Sequence, residues 1–237
     1  MKKVLSFITA LAAGVLLLTQ TAGASTWYTA GSNGGDVGYP NCSTKVPTLD
    51  FGVVGVTGGL VYSHNGCLLS EAGKFNNLSF YVNTGLNTSS SSAYYVKAQS
   101  GCNGDVNCAA YNYGYNAAMD AINYASSQGV ASGRWWLDTE TSNTWSSSAV
   151  QNQQSLQGEY DGLLANGAAM VGVYSTTAQW QTITGGWQNN WPSWGATTWT
   201  TARQAQTYCT GHQFTAGPSL LMQYKSRQSK IDQDVAC

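Results

Sequence analysis

The sequence predicts an α/β fold in which a parallel sheet is connected by crossover helices. Apolar runs rich in β-branched residues are typical of buried strands, and they cover residues 51–59, 78–85, 134–140, 170–176 and 220–225. Helical patterns alternate with them, as in proteins built from strand–helix–strand units. The strands are almost continuously apolar, which indicates a parallel sheet covered by helices on both faces.

Two segments between these strands have helical spacing. The first covers residues 109–128 and stops at Gly129, with an apolar face of Ala117, Ala121, Ile122 and Ala125. The second covers residues 146–166 and stops at Gly167, with an apolar face of Val150, Leu156, Leu163 and Leu164. Further on, residues 180–201 predict a long aromatic loop that runs into a short strand, GATTWT.

The first 24 residues have the organisation of a cleaved secretory signal. Lys2 and Lys3 precede a mostly apolar run that ends at Leu18 and is too short to span a bilayer. Residues 22–24, Ala-Gly-Ala, have the small-x-small pattern of a cleavage site. We therefore expect a secreted, extracellular protein without a membrane anchor, in which residues 25–237 form one domain.

The charge balance argues against a nucleic-acid partner. Without the two signal lysines, 8 Lys and Arg face 11 Asp and Glu, so the mature chain carries about −3. Nucleic-acid binding needs a clustered basic face, and the nearest approach to one is Lys225, Arg227 and Lys230, which we expect in a solvated loop. We expect a monomer, and no residue pattern implies a cofactor or a metal.

Six cysteines in an exported chain favour a set of disulfide bonds. Their proximity along the chain favours the pairs Cys42–Cys67, Cys102–Cys108 and Cys209–Cys237. Metal binding is the alternative, but the sequence has no CxxC pair, and its two histidines, His64 and His212, stand alone.

The segment WWLDTETSNTW, residues 135–145, places two carboxyls among tryptophans in a chain with only 9% charged residues. On a strand, Asp138 and Glu140 share a face with Cα atoms about 6.5 Å apart, at the end where ligands of parallel α/β proteins bind. Glycoside hydrolysis needs such a pair, with one acid protonated and one carboxylate ionised. Alternatively, the two acids cap the next helix or pair with Arg134, and the tryptophans belong to the core.

Further motifs occur in a fixed order along the chain. Residues 34–42, GGDVGYPNC, supply Asp36; residues 51–59 follow as FGVVGVTGG; LDTE carries Asp138 and Glu140. The segments GVYSTTAQW (172–180) and LMQYKSRQSKIDQD (221–234) come last. This order resembles that of secreted glycoside hydrolase family 25 proteins, lysozymes that cut the glycan chains of peptidoglycan, and especially their cysteine-containing actinobacterial-style relatives.

The resemblance implies an irregular TIM-like (β/α) barrel with eight strands and fewer than eight helices. It implies that Glu140 is the proton donor, that Asp138 is the partner carboxylate, and that Asp36 and Asp232 lie in the same cleft. Peptidoglycan or another polysaccharide would be the substrate. The side chains expected to contact it are Trp136, Tyr174, Trp180, Gln223 and Tyr224.

Some positions depart from the family pattern. Gly38 stands where a serine is usual, Gly59 where the family often has glutamate, and Met222 where a tryptophan precedes the glutamine. These departures motivate a second hypothesis, a carbohydrate-binding protein that keeps a hydrolase-like barrel without catalysing cleavage.

Overall fold

A computed structural model describes residues 27–237, and the predicted signal sequence lies outside this range. Eight strands close into a barrel in chain order. They are β1 Asn33–Val37, β2 Phe51–Gly55, β3 Leu78–Asn83, β4 Arg134–Asp138, β5 Met170–Ser175, β6 Ser193–Ala196, β7 Ser219–Tyr224 and β8 Asp232–Ala236. All five strands predicted from apolar runs are present, and the predicted short strand at GATTWT starts two residues earlier.

The barrel is parallel except at its last strand. Each neighbouring pair from β1 to β7 runs parallel, whereas β8 is antiparallel to both β7 and β1. The β7–β8 connection can therefore be a short loop, since antiparallel neighbours need no crossover helix. The eight-stranded barrel expected from the family resemblance is confirmed.

Six α-helices accompany the strands in the described residues, fewer than eight as expected. They are α1 Leu68–Ala72, α2 Ala93–Ala98, α3 Val106–Ser127, α4 Ala149–Ala165, α5 Thr177–Thr184 and α6 Ala202–Gln206. Both predicted helices are present, with α4 capped by the Ser148 hydroxyl. None of the helices in residues 27–237 has the length and apolarity needed to cross a bilayer.

Helices α3 and α4 pack backbone against backbone. A methyl group at Gly114 would lie 1.8 Å from the Ser155 carbonyl oxygen, and one at Gly158 would lie 2.0 Å from that of Tyr111. Small residues thus share the buried face of α4 with Leu156 and Leu163. The predicted apolar face is partly wrong, because Val150 and Leu164 are exposed. Two helices can approach this closely only where their side chains are small, and the spacing of apolar residues does not reveal that requirement.

Side chains alternate across the barrel wall. On β4, Trp135 and Leu137 pack with the helices in the main core, while Trp136 lies in the barrel interior with Phe51 and Trp194. This is the period of two expected of a strand, and it fixes which side chains meet inside the barrel.

All three predicted disulfide bonds are present. Cys42–Cys67 joins the segment after β1 to the start of α1, Cys102–Cys108 closes the turn before α3, and Cys209–Cys237 ties the C-terminal residue to the segment after α6. Each closes a short stretch of chain, as their proximity in the sequence predicted.

Candidate active site

A cavity of about 260 Å³ lies at the carboxyl ends of the barrel strands. All four predicted catalytic carboxyls line it, although they come from three distant parts of the sequence. The lining residues are Asp36, Tyr81, Asp138, Glu140, Tyr174, Trp194, Gln223, Lys225 and Asp232. The structure therefore brings together Asp36, Asp138, Glu140 and Asp232, as the sequence predicted.

Barrel closure places Asp36 against Asp232. The two residues are direct partners in the antiparallel pairing of β1 with β8, so their side chains lie on the same face. Desolvation, together with the charge of Asp232, raises the pKa of Asp36 to about 7, although a hydrogen bond from Gln223 opposes the rise. Asp36 thus exchanges its proton near neutral pH.

Gln223 connects Asp36 to a tyrosine across the barrel. Its amide nitrogen donates to Asp36 Oδ2 at 2.8 Å, and its amide oxygen accepts from the Tyr174 hydroxyl at 2.9 Å. Tyr174 is also the register partner of Asp138 on β4. This chain of hydrogen bonds fixes the orientation of the Asp36 carboxyl relative to the opposite wall.

Asp138 is the most buried carboxyl of the four, with 7% of its surface exposed. Asn83 donates a hydrogen bond to its Oδ2 atom, and Thr57 in turn donates to Asn83 at 2.7 Å. Its other oxygen, Oδ1, has no hydrogen-bond partner in the described residues. Desolvation and the charges of Glu140 and Asp36 raise the pKa of Asp138 well above its usual range.

Glu140 lies two residues beyond the end of β4 and is only half-buried. Its backbone carbonyl accepts hydrogen bonds from Trp145 Nε1 at 2.8 Å and from the Asn143 amide at 3.1 Å. The side chain enters the cavity from this anchored loop. The alternative assignment of the two acids is not realised, because Ser148 caps α4 and Arg134 binds elsewhere.

Three cavity residues were not predicted, namely Tyr81, Trp194 and Lys225. A signal for Tyr81 exists in the sequence, because Ser79, Tyr81 and Asn83 are the polar positions at every second residue of an otherwise apolar strand. The Tyr81 hydroxyl also occupies the space beside Gly38, where an added methyl group would lie 2.2 Å from it. The family's usual serine would therefore clash at this position.

Three of the residues expected to contact substrate do not line the cavity. Trp136 is fully buried one layer below Asp138 and donates from Nε1 to the Tyr28 hydroxyl at 3.0 Å. Trp180 is only 1% exposed, and its Nε1 atom donates a hydrogen bond to the Trp187 carbonyl in the core. Tyr224 packs with Met222 on the outer face of the barrel wall. Since adjacent strand residues face opposite ways, Gln223 and Tyr224 cannot both reach the cavity.

The cavity is suited to acid–base chemistry. It combines two carboxyls with raised pKa values, Asp36 and Asp138, with two further carboxyls, and tyrosine and tryptophan rings lie beside them. Within residues 27–237, no group of three or more His, Cys, Asp or Glu side chains has the geometry to hold a metal ion.

Sequence comparison identifies a family. The family model described as Lysozyme-like protein 1 matches residues 63–216, which is more than half of the chain and includes Asp138 and Glu140. No curated protein matches the sequence significantly.

Solved structures share the barrel at low sequence identity. The catalytic domain of endolysin ply40, from bacteriophage P40 of Listeria monocytogenes, matches with a TM-score of 0.58 and 15% identity over 87% of this chain and 93% of that one. A bacterial lysozyme from Streptomyces coelicolor gives a TM-score of 0.55 and 16% identity over 88% and 93%. A family GH25 lysozyme from Aspergillus fumigatus gives 0.54 and 11% over 87% and 93%. The chain therefore belongs to the family described as lysozyme-like protein 1 and has the barrel fold of the family 25 lysozymes.

Proposed function

We propose that the protein is a secreted muramidase-like hydrolase that cleaves O-glycosyl bonds in the glycan chains of peptidoglycan or a related polysaccharide. The convergence of Asp36, Asp138, Glu140 and Asp232 on one cavity carries this proposal. The family membership supports it, and so does the barrel fold that the chain shares with lysozymes and muramidases. The three disulfide bonds fit an exported protein.

In this proposal Glu140 is the general acid. It is the more exposed member of the central pair and lies on an anchored loop at the mouth of the cavity, where it can protonate the leaving glycosidic oxygen. The pKa of Asp138 is raised first by desolvation and then by the charges of Glu140 and Asp36, and positive charge that develops on the bound sugar favours the ionised form of Asp138.

Asp138 is the partner carboxylate. Asn83 holds one of its oxygens, which leaves the unpartnered Oδ1 to face the positive charge that develops on the reacting sugar, or on its N-acetyl group. Asp36 and Asp232 flank this pair, and the Gln223–Tyr174 hydrogen bonds fix the orientation of Asp36. We assign positioning and electrostatic tuning to these two acids.

The test is release of reducing ends from purified cell walls and a panel of polysaccharides by the wild type and the Glu140→Gln variant. Loss of the general acid should lower kcat by about 10²–10⁴-fold, with thermal unfolding unchanged because Glu140 lies in a half-exposed loop. Asp161→Asn is the matched control, since it removes a carboxyl of α4 outside the cavity. Equal turnover by Glu140→Gln and wild type would remove Glu140 from the mechanism.

A non-catalytic glycan-binding protein is the second candidate. Gly59, at the position where the family often has glutamate, has a φ of +96° and offers no carboxyl to the cavity. Wild-type protein that sediments with cell walls but releases no reducing ends from any polysaccharide would favour this function over hydrolysis.

A further inference from the structure

The candidate active site opens into a longer groove. A second cavity, of about 230 Å³, shares Asp36, Lys225 and Asp232 with it. A third and larger cavity, of about 860 Å³, shares Ser226, Ser229 and Lys230 with the second. Shared walls make the three cavities neighbours, and we call the second and third together the lysine groove.

Two loop segments form the walls of the lysine groove. One wall is the segment from Pro40 to Pro47, which the Cys42–Cys67 disulfide ties to the start of α1. The other is the β7–β8 loop. Both walls start from the catalytic cavity, because β1 and β8 pair at Asp36 and Asp232. A chain held between the four acids would therefore continue along this groove.

The lysine groove carries positive charge in an acidic protein. Lys45, Lys225 and Lys230 line it and are exposed, and they are three of the eight basic residues in the described range. Asp36 and Asp232 accompany Lys225 and Lys230 in the second cavity. In contrast, no carboxyl of the described residues lines the third cavity beside Lys45 and Lys230, so the positive charge is concentrated there. An ammonium group binds carboxylates and other anions.

The remaining lining argues against a neutral ligand. Protein sites that bind uncharged sugars use aromatic faces, but no aromatic residue lines the second or third cavity, whereas Tyr81, Tyr174 and Trp194 line the first. Serine, threonine and glutamine side chains accompany the lysines. Such a surface suits a ligand that carries hydroxyl groups and negative charge.

We propose that the lysine groove binds carboxylate groups on the same glycan strand whose glycosidic bond lies in the catalytic cavity. The proposal rests on the proposed hydrolase function and narrows its substrate to an acidic glycan. The carboxylates belong either to the sugar residues or to peptides attached to them, and both present the same anion to Lys45 and Lys230.

The test compares the double variant Lys45→Gln/Lys230→Gln with wild type on cell walls and on the same walls after their carboxyl groups have been amidated. Two exposed ion pairs between lysine and carboxylate are together expected to strengthen substrate binding about tenfold. We therefore expect kcat/KM on untreated walls to fall about tenfold, chiefly through KM, and the effect to shrink as salt rises. Amidated walls should give equal rates with both proteins. Lys97→Gln, an exposed lysine of α2 outside the groove, is the control.

Binding of the Glu140→Gln form to the same walls separates this proposal from the hydrolase function. We expect this binding to be sensitive to salt, to be abolished by amidation and to be weakened by the two lysine substitutions. That result would support carboxylate binding in the lysine groove even if the wild type releases no reducing ends. Cell walls stripped of their peptides show which groups carry the carboxylates. If the double lysine variant still binds these walls more weakly than the protein with both lysines, the carboxylates are on the sugars; if the difference vanishes, they are on the peptides. An unchanged KM and affinity, or equal losses on amidated walls, would overturn the proposal.

Discussion

The two ends of the barrel use the same strands for opposite purposes. At the amino end, Tyr28 fills the interior, where its hydroxyl bonds Ser79 at 2.6 Å and accepts from Trp136 at 3.0 Å. At the carboxyl end, two residues further along β4, Asp138 keeps an unpartnered oxygen beside a cavity. The Tyr28 hydroxyl is fully partnered at one end, whereas Asp138 at the other end keeps an oxygen available for a ligand.

Arg134 makes three side-chain hydrogen bonds at the amino end. Its guanidinium donates to the Trp27 carbonyl at 2.7 Å, to the Leu78 carbonyl at 2.8 Å and to the side chain of Asn77, and it lies over the Tyr28 ring. The carboxyl end instead buries carboxyls beside one another, and desolvation, together with the neighbouring negative charges, raises the pKa values of Asp36 and Asp138. The difference teaches that stability and chemistry occupy separate layers of one barrel.

Removing the guanidinium should have the largest effect on stability. Arg134→Ala deletes three hydrogen bonds from a charged donor and the contact with Tyr28, so we expect the free energy of unfolding to fall by about 3 kcal/mol. Urea denaturation measures the change. Arg203 is an exposed arginine of α6, and Arg203→Ala should change the free energy of unfolding by less than about 0.5 kcal/mol. A loss for Arg134→Ala no larger than this control would show that the amino end is not a stabilising layer.

The carboxyl end should respond to pH in the opposite sense from a stabilising ion pair. Since the folded protein raises the pKa of Asp36 from 3.8 to about 7, it binds the proton more tightly than the unfolded chain does. The free energy of unfolding therefore falls as the pH rises through this window. At pH 8, Asp36→Asn should raise it by about 2 kcal/mol, allowing for the partial exposure of the carboxyl.

Denaturation of Asp36→Asn and wild type at pH values from 4 to 8 measures this dependence. The variant should have a flatter profile than the wild type, whereas Asp161→Asn should retain the wild-type slope. Parallel profiles for Asp36→Asn and wild type would show that the cavity does not destabilise the ionised carboxyl.

A smaller effect tests the packing at the rim of the cavity. Gly38→Ala places a methyl group 2.2 Å from the Tyr81 hydroxyl oxygen but 3.4 Å from the ring carbon that bears it. We expect the free energy of unfolding to fall by about 1 kcal/mol, and adding Tyr81→Phe to the same protein should restore most of that loss. Thermal unfolding of the two single variants and the double variant gives the coupling, with Gly66→Ala as the control because nothing lies within 4 Å of that position. Additive effects would contradict the clash.

Local patterns predicted a large part of this protein because they depend on short stretches of chain. Apolar periodicity located β2, β3, β4, β5 and β7, and proximity along the chain identified all three disulfide pairs. The spacing of Asp138 and Glu140 likewise predicted that they lie together. The strands and the acid pair are each decided within a few residues, and each disulfide joins cysteines at most 28 residues apart, so the sequence displays these features directly.

Closure of the barrel decided what local patterns could not. It made Asp36 the partner of Asp232 and raised its pKa, and it placed Trp136 beneath the cavity rather than on its surface. It also placed Lys45 and Lys230 in the lining of one cavity. From the sequence, Lys230 was expected only in a solvated loop. Distance, desolvation and charge at these positions depend on which distant strands become neighbours, and only the tertiary structure determines that.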